Sequence, residues 1–357
     1  MTAMDHAQGD VPAARLSAHA TAGTALALLS DRRLADVVAA APALGSGIGG
    51  RAAELEVDGV RVFVKRVPLT DLELRPEHMR STANLFELPL FYQYGVGSAG
   101  FGAWRELAAH LMTTGWVLRG GHPGFPLLYH WRILPDHPPT GFADAFGGIE
   151  GAVAHWEGSA AVRRRLEAIG RSSASLVLFL EHVPYTLAAW LADHQDADTA
   201  LPWMEKALTR ATAFMSAQGL VHFDAHFRNL LTDGRQVYFA DLGLALSSRF
   251  ELSPEETEFL SDHLVYDRAY VPTHLLRHHL LDRVRGDVSR ETFVREWSAG
   301  RRRDGVPPRT GAFLDRHART ATVLDDFHHR LLTRSKRTPF PAEDLRAAVN
   351  GTSAVRS

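Results

Sequence analysis

Residues 219 to 243 read GLVHFDAHFRNLLTDGRQVYFADLG, with Asp224, Asn229 and Asp241, and with His222 and His226, set between apolar runs. Polar side chains beside strands as greasy as VYFA must be satisfied by hydrogen bonds, by water or by something bound. The stretch is therefore either a solvated turn or a site that holds metal and phosphate. Gly219 stops a helical pattern ahead of it, in which Ala207, Leu208, Ala211, Phe214 and Met215 share one face. Asp233-Gly234 then predicts a tight turn between two short strands, at 229–233 and 236–241.

Elsewhere the chain alternates between two textures. At 357 residues it is long enough for two lobes with ample core. Residues 42–67 read as a Gly-rich turn, a strand at 52–57, an Asp58-Gly59 hairpin turn and a strand at 60–67. A helix is predicted at 103–115 and strands within FPLLYHWRIL and SASLVLFLEHV. Two insertions, 66–102 and 135–170, interrupt this half, the second with one helix across 152–170. From 184 onward the pattern is mostly helical, and SPEETEFLSDH opens on a capping box from Ser253 to Glu256. The expected organisation is an Ala-, Thr- and Gly-rich extension (1–41), loosely ordered to residue 29 and then a short helix capped by Ser30 or Asp31. A β-rich part (42–183), a helical part (184–340) and a tail (341–357) follow. The fold class is α+β, with the polar stretch where the two lobes meet around a cleft.

Charge and composition exclude several functions. A net charge of -2 offers no electrostatic footprint for nucleic acid or an anionic membrane. There is no cysteine, hence no disulfide, thiolate zinc site or thiol nucleophile. The N-terminus lacks a signal-peptide pattern and no apolar run is long enough to span a bilayer, so a cytoplasmic location is expected. Of 39 basic residues only Lys65, Lys206 and Lys336 are lysine. Each is an uncommon choice in this chain.

The chemistry follows from oxygen donors at fixed spacing. Asp224 and Asn229 lie five apart, and a short hairpin returns Asp241 beside them. A carboxylate and a carboxamide suit a hard cation such as Mg²⁺, while the other carboxylate can take a proton from an attacking hydroxyl. Read singly, each aspartate is ordinary turn text. As an ordered set, they resemble the catalytic and metal-binding loops of the protein-kinase-like superfamily, which includes aminoglycoside-phosphotransferase-like and bacterial Ser/Thr-kinase-like enzymes. That resemblance implies a bilobal fold, a small β-rich N-lobe with a larger helical C-lobe. It implies an ATP- and Mg²⁺-dependent phosphotransferase in which Asp224 orients the acceptor hydroxyl, Asn229 and Asp241 hold the metal, and Gly243 lets the chain turn away.

The resemblance also asks for a Gly-rich loop between strands and a lysine on the third strand. Gly45-Ser46-Gly47-Ile48-Gly49-Gly50 is a full GxGxxG, and Lys65 follows in VRVFVK. By resemblance Gly45, Ser46, Gly47 and Gly50 approach phosphate oxygens and Lys65 reaches the α- and β-phosphates. Glu106 pairs with Lys65, with Glu87 as the fallback. Leu180 backs the adenine pocket, and the Glu181 carbonyl and Val183 amide read the adenine edge. A second GxGxxG, Gly95 to Gly100 with Gly102 beyond, lacks the preceding strand and later acid of a dinucleotide site. It either starts the following helix or sets that helix's N-terminus against substrate or phosphate.

Departures from the pattern narrow the acceptor. Phe223 stands where kinases switched by activation-loop phosphorylation carry arginine, and His226 stands where protein kinases usually carry lysine. No Ala-Pro-Glu signature follows Asp241. A small-molecule hydroxyl (antibiotic, sugar or metabolite) is the favoured acceptor, with a protein hydroxyl as the alternative and a nucleotide-binding pseudokinase third. Residues 251–357 carry 16 acids against 18 lysines and arginines, so a polycationic acceptor is disfavoured. His274 and His278 have zinc-ligand spacing but no evident third ligand, and read as surface or core histidines.

Overall fold

The computed structural model describes residues 13–47, 50–95, 97–193 and 197–353. Residues 1–12, read above for a signal peptide, and 354–357 of the expected tail lie outside these ranges. The protein is α+β and divides into two compact units. One holds Met1–Val183 with Tyr238–Ala245 and Phe250–Ser253; the other holds Pro184–Val237, Leu246–Arg249 and Pro254–Ser357. Asp241, expected among the helical residues, thus belongs with the β-rich unit. No helix among the described residues is long and apolar enough to cross a membrane.

The first unit is built on a five-stranded antiparallel sheet. Its strands are β1 (Ala43–Gly47), β2 (Gly50–Val57), β3 (Val60–Leu69), β4 (Leu128–Pro135) and β5 (Ala174–Glu181), in the order β1-β2-β3-β5-β4. Asp58, with φ 48°, and Gly59, with φ 78°, make the turn between β2 and β3 as expected. Strand β5 is buried on both faces, which is why SLVLFLE runs apolar without alternation. On one face, Leu176, Leu178 and Leu180 meet Val67 and Leu69 of β3 and pack against Ala103, Trp104 and Leu107 of α3 (Ala103–Leu118).

Helices α1 (Ala13–Leu28) and α2 (Asp31–Ala40) precede the sheet, and Ser30 caps α2 by accepting the Arg33 N–H. The loose order expected to residue 29 is therefore corrected over 13–28, and its first twelve residues lie outside the described ones. Ala22 and Leu26 are fully buried, and Arg15 is anchored by four hydrogen bonds. The small residues that read as disorder give α1 a buried face without bulk. The single helix expected over 152–170 is two, α4 (Ile149–His155) and α5 (Ala160–Ile169). Glu157 and Gly158 at φ 56° and 70° break the run, and Ser159 caps the second helix.

In the second unit, β6 (Tyr185–Thr186) leads into α6 (Leu187–Asp193) and α7 (Ala197–Ala217). Then come β7 (Leu220–Val221), β8 (Leu230–Thr232), β9 (Val237–Phe239), which straddles the division, and β10 (Leu246–Ser247). Strand β7 pairs with β10, and β6 with β8. The helices α8 (Pro254–His263), α9 (Tyr266–Leu275), a single π turn at Leu276–Leu280, α10 (Arg290–Ser298), α11 (Pro308–Thr333) and α12 (Ala342–Ser353) complete it. The expected tail is largely α12, docked through the buried Leu345 and Ala348.

Candidate functional site

Lys65 lies on the face of β3 that carries Val67 and Leu69, the apolar face packed on α3. A lone ammonium there would be costly, and it is compensated twice. Its Nζ donates to Glu106 Oε1 at 2.6 Å and to Asp241 Oδ1 at 2.7 Å. Burial works against the charge, but Asp241 and Glu106 together outweigh it and raise the Lys65 pKa above the usual lysine value. Lys65 and Glu106 are buried, whereas the Asp241 side chain is 44% exposed. Glu106, on α3, is thus the partner of Lys65. Glu87 is surface-exposed, 3.8 Å from Arg164, and takes no part.

The turn after β9 differs in detail from expectation. The left-handed residue is Asp241 itself, with φ 56°, and not Gly243. Gly243 is needed for space: a Cβ there would lie 3.2 Å from Glu106 Oε2 and 3.4 Å from Asp241 Oδ1. A bulkier residue would press on the carboxylates that hold Lys65.

Of the Gly-rich turn, Ile48 and Gly49 lie outside the described residues. Gly45, Ser46 and Gly47 belong to β1, and Gly50 opens β2, with Gly47 paired to Gly50 and Ser46 to Arg51. Gly50, at φ 127°, has no room for a Cβ, which would run into the Arg66 carbonyl of β3. Close packing of β2 on β3 is sufficient reason for that glycine. The second glycine pattern, of which Val96 is not described, has a structural explanation too. At the N-terminus of α3 the Glu73 carboxylate accepts the Ala103 N–H at 2.7 Å.

Glu181 ends β5. Its N–H donates to the Leu127 carbonyl at 2.8 Å, and its carboxylate accepts the Leu127 N–H and both Arg15 Nε and Nη2, each of these two at 2.7 Å. Arg15 also donates to the carbonyls of Pro123 and Phe125 and lies over the Tyr238 ring. The segment leading to Val183 is therefore fixed through the Glu181 side chain.

In the second unit the loop between β7 and β8 carries Asp224, His226 and Asn229. Asn229 Nδ2 donates to the Asp224 carbonyl at 3.0 Å and to Asp224 Oδ2 at 2.9 Å. His226 Nδ1 accepts the Arg228 N–H at 3.3 Å, which leaves the proton on Nε2, 3.7 Å from Asp224 Oδ1. Asn229 thus orients Asp224, with the His226 ring nearby, while part of the carboxylate reaches solvent. Phe223 is buried against Phe259, His263 and Tyr266 at φ 64°. Asp267 holds that conformation by accepting the N–H groups of His222 and Phe223 at 2.6 and 3.2 Å. Burial pushes its carboxyl up to about 7, against the pull of those two donors.

Asp267 and Glu73 were missed in the sequence. Asp267 had one signal, a lone acid inside the apolar helix text VYDRAYV, and Glu73 had another, the capping-box spacing of Thr70-x-x-Glu73. The His274 and His278 rings lie tilted against each other, 4.5 Å between centres, with His279 and Phe227 adjoining, and among the described residues no group of three or more His, Asp or Glu is arranged to hold a metal.

The donor types at Asn229 and Asp241 nonetheless fit a hard cation. Taken singly, Asn229 uses its amide nitrogen on Asp224 and keeps a carboxamide oxygen of the type such a cation takes, and Asp241 keeps a partly exposed carboxylate. Comparison of the chain with family models and with curated protein sequences finds no match.

Proposed function

We propose that the protein is an ATP- and Mg²⁺-dependent phosphotransferase of bilobal, protein-kinase-like fold, acting on a hydroxyl of a small molecule. The observation that carries this reading is the buried Lys65, paired at once with Glu106 on a helix and with Asp241 on a loop. A core that needed only stability would gain as much from an apolar residue. A buried cation held charged between two carboxylates suits the binding of a polyphosphate.

In this reading the backbone of Gly45 to Gly50 and the Lys65 ammonium position the triphosphate, and Glu106 keeps Lys65 aimed. The backbone of Glu181 and Val183 takes the adenine edge. Asn229 Oδ1 and Asp241 would hold Mg²⁺, which would supply positive charge against the phosphate oxygens. Asp224, oriented by Asn229 with His226 nearby, accepts the acceptor's hydroxyl proton as its oxygen attacks the γ-phosphorus in line and ADP departs.

The burial of Phe223 in an aromatic cluster supports a chain without a phosphorylation-read arginine at that place. It favours a small-molecule acceptor, with a constitutively competent Ser/Thr protein kinase as the second reading. Incubation with γ-labelled ATP beside a metabolite extract and a protein extract separates the two. Label confined to small molecules supports the first, and label in protein bands supports the second. Absence of any Mg²⁺-dependent thermal shift with ATP would sink both.

A further inference from the structure

The two insertions, 66–102 and 135–170, converge on one buried carboxylate. Glu73 in the first is 1% exposed and pairs with Arg165 of α5, in the second, at 2.8 Å; Arg165 is equally buried and lies over the Phe86 ring. Thr70 donates to Glu73 through its backbone N–H and its hydroxyl, at 3.0 and 2.6 Å. Burial would raise the Glu73 pKa, but Arg165 and Thr70 bring it below the usual value, so the carboxylate is charged. Its other oxygen accepts the Ala103 N–H that begins α3, and its backbone carbonyl accepts Trp104 Nε1 at 3.0 Å. One turn further along that helix is Glu106, on Lys65.

The same insertion also grips the segment that follows Asp241. Gln93 Nε2 donates to the Leu244 carbonyl, and the Thr82 hydroxyl accepts the Glu251 N–H at 2.8 Å. Arg105 of α3 donates to the Thr82 carbonyl at 2.7 Å and lies over the rings of Phe101 and Phe250. Gly100, at φ 70°, touches the backbone of Gly243 so closely that a Cβ would stand 2.7 Å from its carbonyl oxygen.

From this continuous chain of contacts we infer that the insertions are a built-in brace. They hold α3 and the segment after Asp241 in the arrangement that forms the Lys65–Glu106–Asp241 set, with no phosphorylation event required. The inference rests on the phosphotransferase reading for its functional meaning, but its physical content is the coupling of Glu73 and Arg165 to residues 103–118 and 241–251. Glu73, Arg165, Thr82 and Gln93 are positioning residues that touch neither nucleotide nor acceptor.

Hydrogen exchange on the nucleotide-free, full-length protein tests the coupling separately from catalysis. Arg165→Met and Glu73→Gln should each speed exchange at 103–118 and 241–251 together by tenfold or more, with α11 unchanged. Phosphatase-treated wild type should keep full protection in both segments. Unchanged protection in folded R165M and E73Q, or loss of protection after phosphatase, overturns the brace. If those variants fail to fold, Thr82→Val and Gln93→Leu each remove one hydrogen bond; faster exchange at 241–251 then supports the proposal and unchanged exchange overturns it. In ATP turnover normalised to the folded fraction, the brace variants should lower kcat tenfold or more, whereas loss of structure alone would leave kcat per folded molecule unchanged. A wild type that never turns over ATP would overturn the phosphotransferase reading and leave the exchange result standing.

Discussion

Lys65 Nζ lies 2.6 Å from Glu106 Oε1, joining the middle strand of the sheet to the helix packed across it. Glu106→Gln keeps the shape and removes the charge, and leaves Lys65 with Asp241 alone. Breaking one partner of a buried pair costs about 3–5 kcal/mol, and the remaining Asp241 contact should reduce that to about 2. The expected result is a fall in Tm measured by calorimetry, together with a tenfold or greater loss of Mg·ATP affinity by titration.

Asp224 and Asp241 should separate binding from turnover. Asp224→Ala is expected to keep Mg·ATP binding and to lose about 10²- to 10⁴-fold in turnover, the range for a positioned base. Asp241→Ala should abolish the Mg²⁺ dependence of binding. Full transfer activity in Asp224→Ala would refute the assignment of the base.

Asp267 gives a prediction with a definite sign. Its carboxyl is raised from 3.8 to about 7 by burial, so the folded state holds a proton that the unfolded chain has released. Stability attributable to this group is full below about pH 4, falls as pH rises toward 7, and is flat above. Wild type should therefore lose stability relative to Asp267→Asn across that window in urea melts at a series of pH values. Asp267→Leu, which unpairs the His222 and Phe223 N–H groups, should lower turnover more than nucleotide affinity.

Glu205 behaves in the opposite sense. It accepts Arg316 at 2.7 and 2.5 Å and His317 at 3.1 Å; burial pushes its pKa up, but these partners bring it down to about 2. A depressed carboxylate stabilises fully above its unfolded pKa of 4.5, and the contribution disappears as pH falls through about 2. With the Arg316 side chain a quarter exposed, Glu205→Gln should cost about 2 kcal/mol near pH 7 and little at pH 2. Activity per folded molecule should not change, because the cluster joins α7 to α11 and includes none of the residues assigned a role in transfer.

Much of this was legible because it is local. Hairpin turns need particular backbone angles, so Asp58-Gly59 and Asp233-Gly234 announce themselves. Helix α2 has a cap, and the apolar text of β5 has a length that only a buried strand explains. Lys65 stood out because lysine is rare in this chain. Glu106 was legible only as a candidate, since helical carboxylates are common and nothing local distinguishes one that will be buried.

What stayed hidden depends on distant partners. Residues 13–28 looked like loose chain because alanine, glycine and threonine are also the composition of linkers. Their order comes from Arg15 reaching Glu181, 166 positions away. The glycines at 100 and 243 are spaced as any turn might be, yet each is required by an atom brought close from elsewhere in the fold. Nothing in the insertions announced the Arg165–Glu73 pair, which is two ordinary surface-type residues until the chain brings them together.

By itself the sequence determined the class of structure, α+β with a Gly-rich hairpin, and the order of the chemically able residues: Lys65, Glu106, Asp224, Asn229 and Asp241. These rest on backbone preference and hydrophobic period, which act within a few residues. Only the tertiary structure decided that Lys65 takes Glu106 and Asp241 as partners, that Phe223 is buried, that Asp267 holds the loop before Asp224 and that Glu73 begins the helix carrying Glu106. Burial and pairing are properties of neighbours in space, and free energy of that kind has no value until the fold has formed.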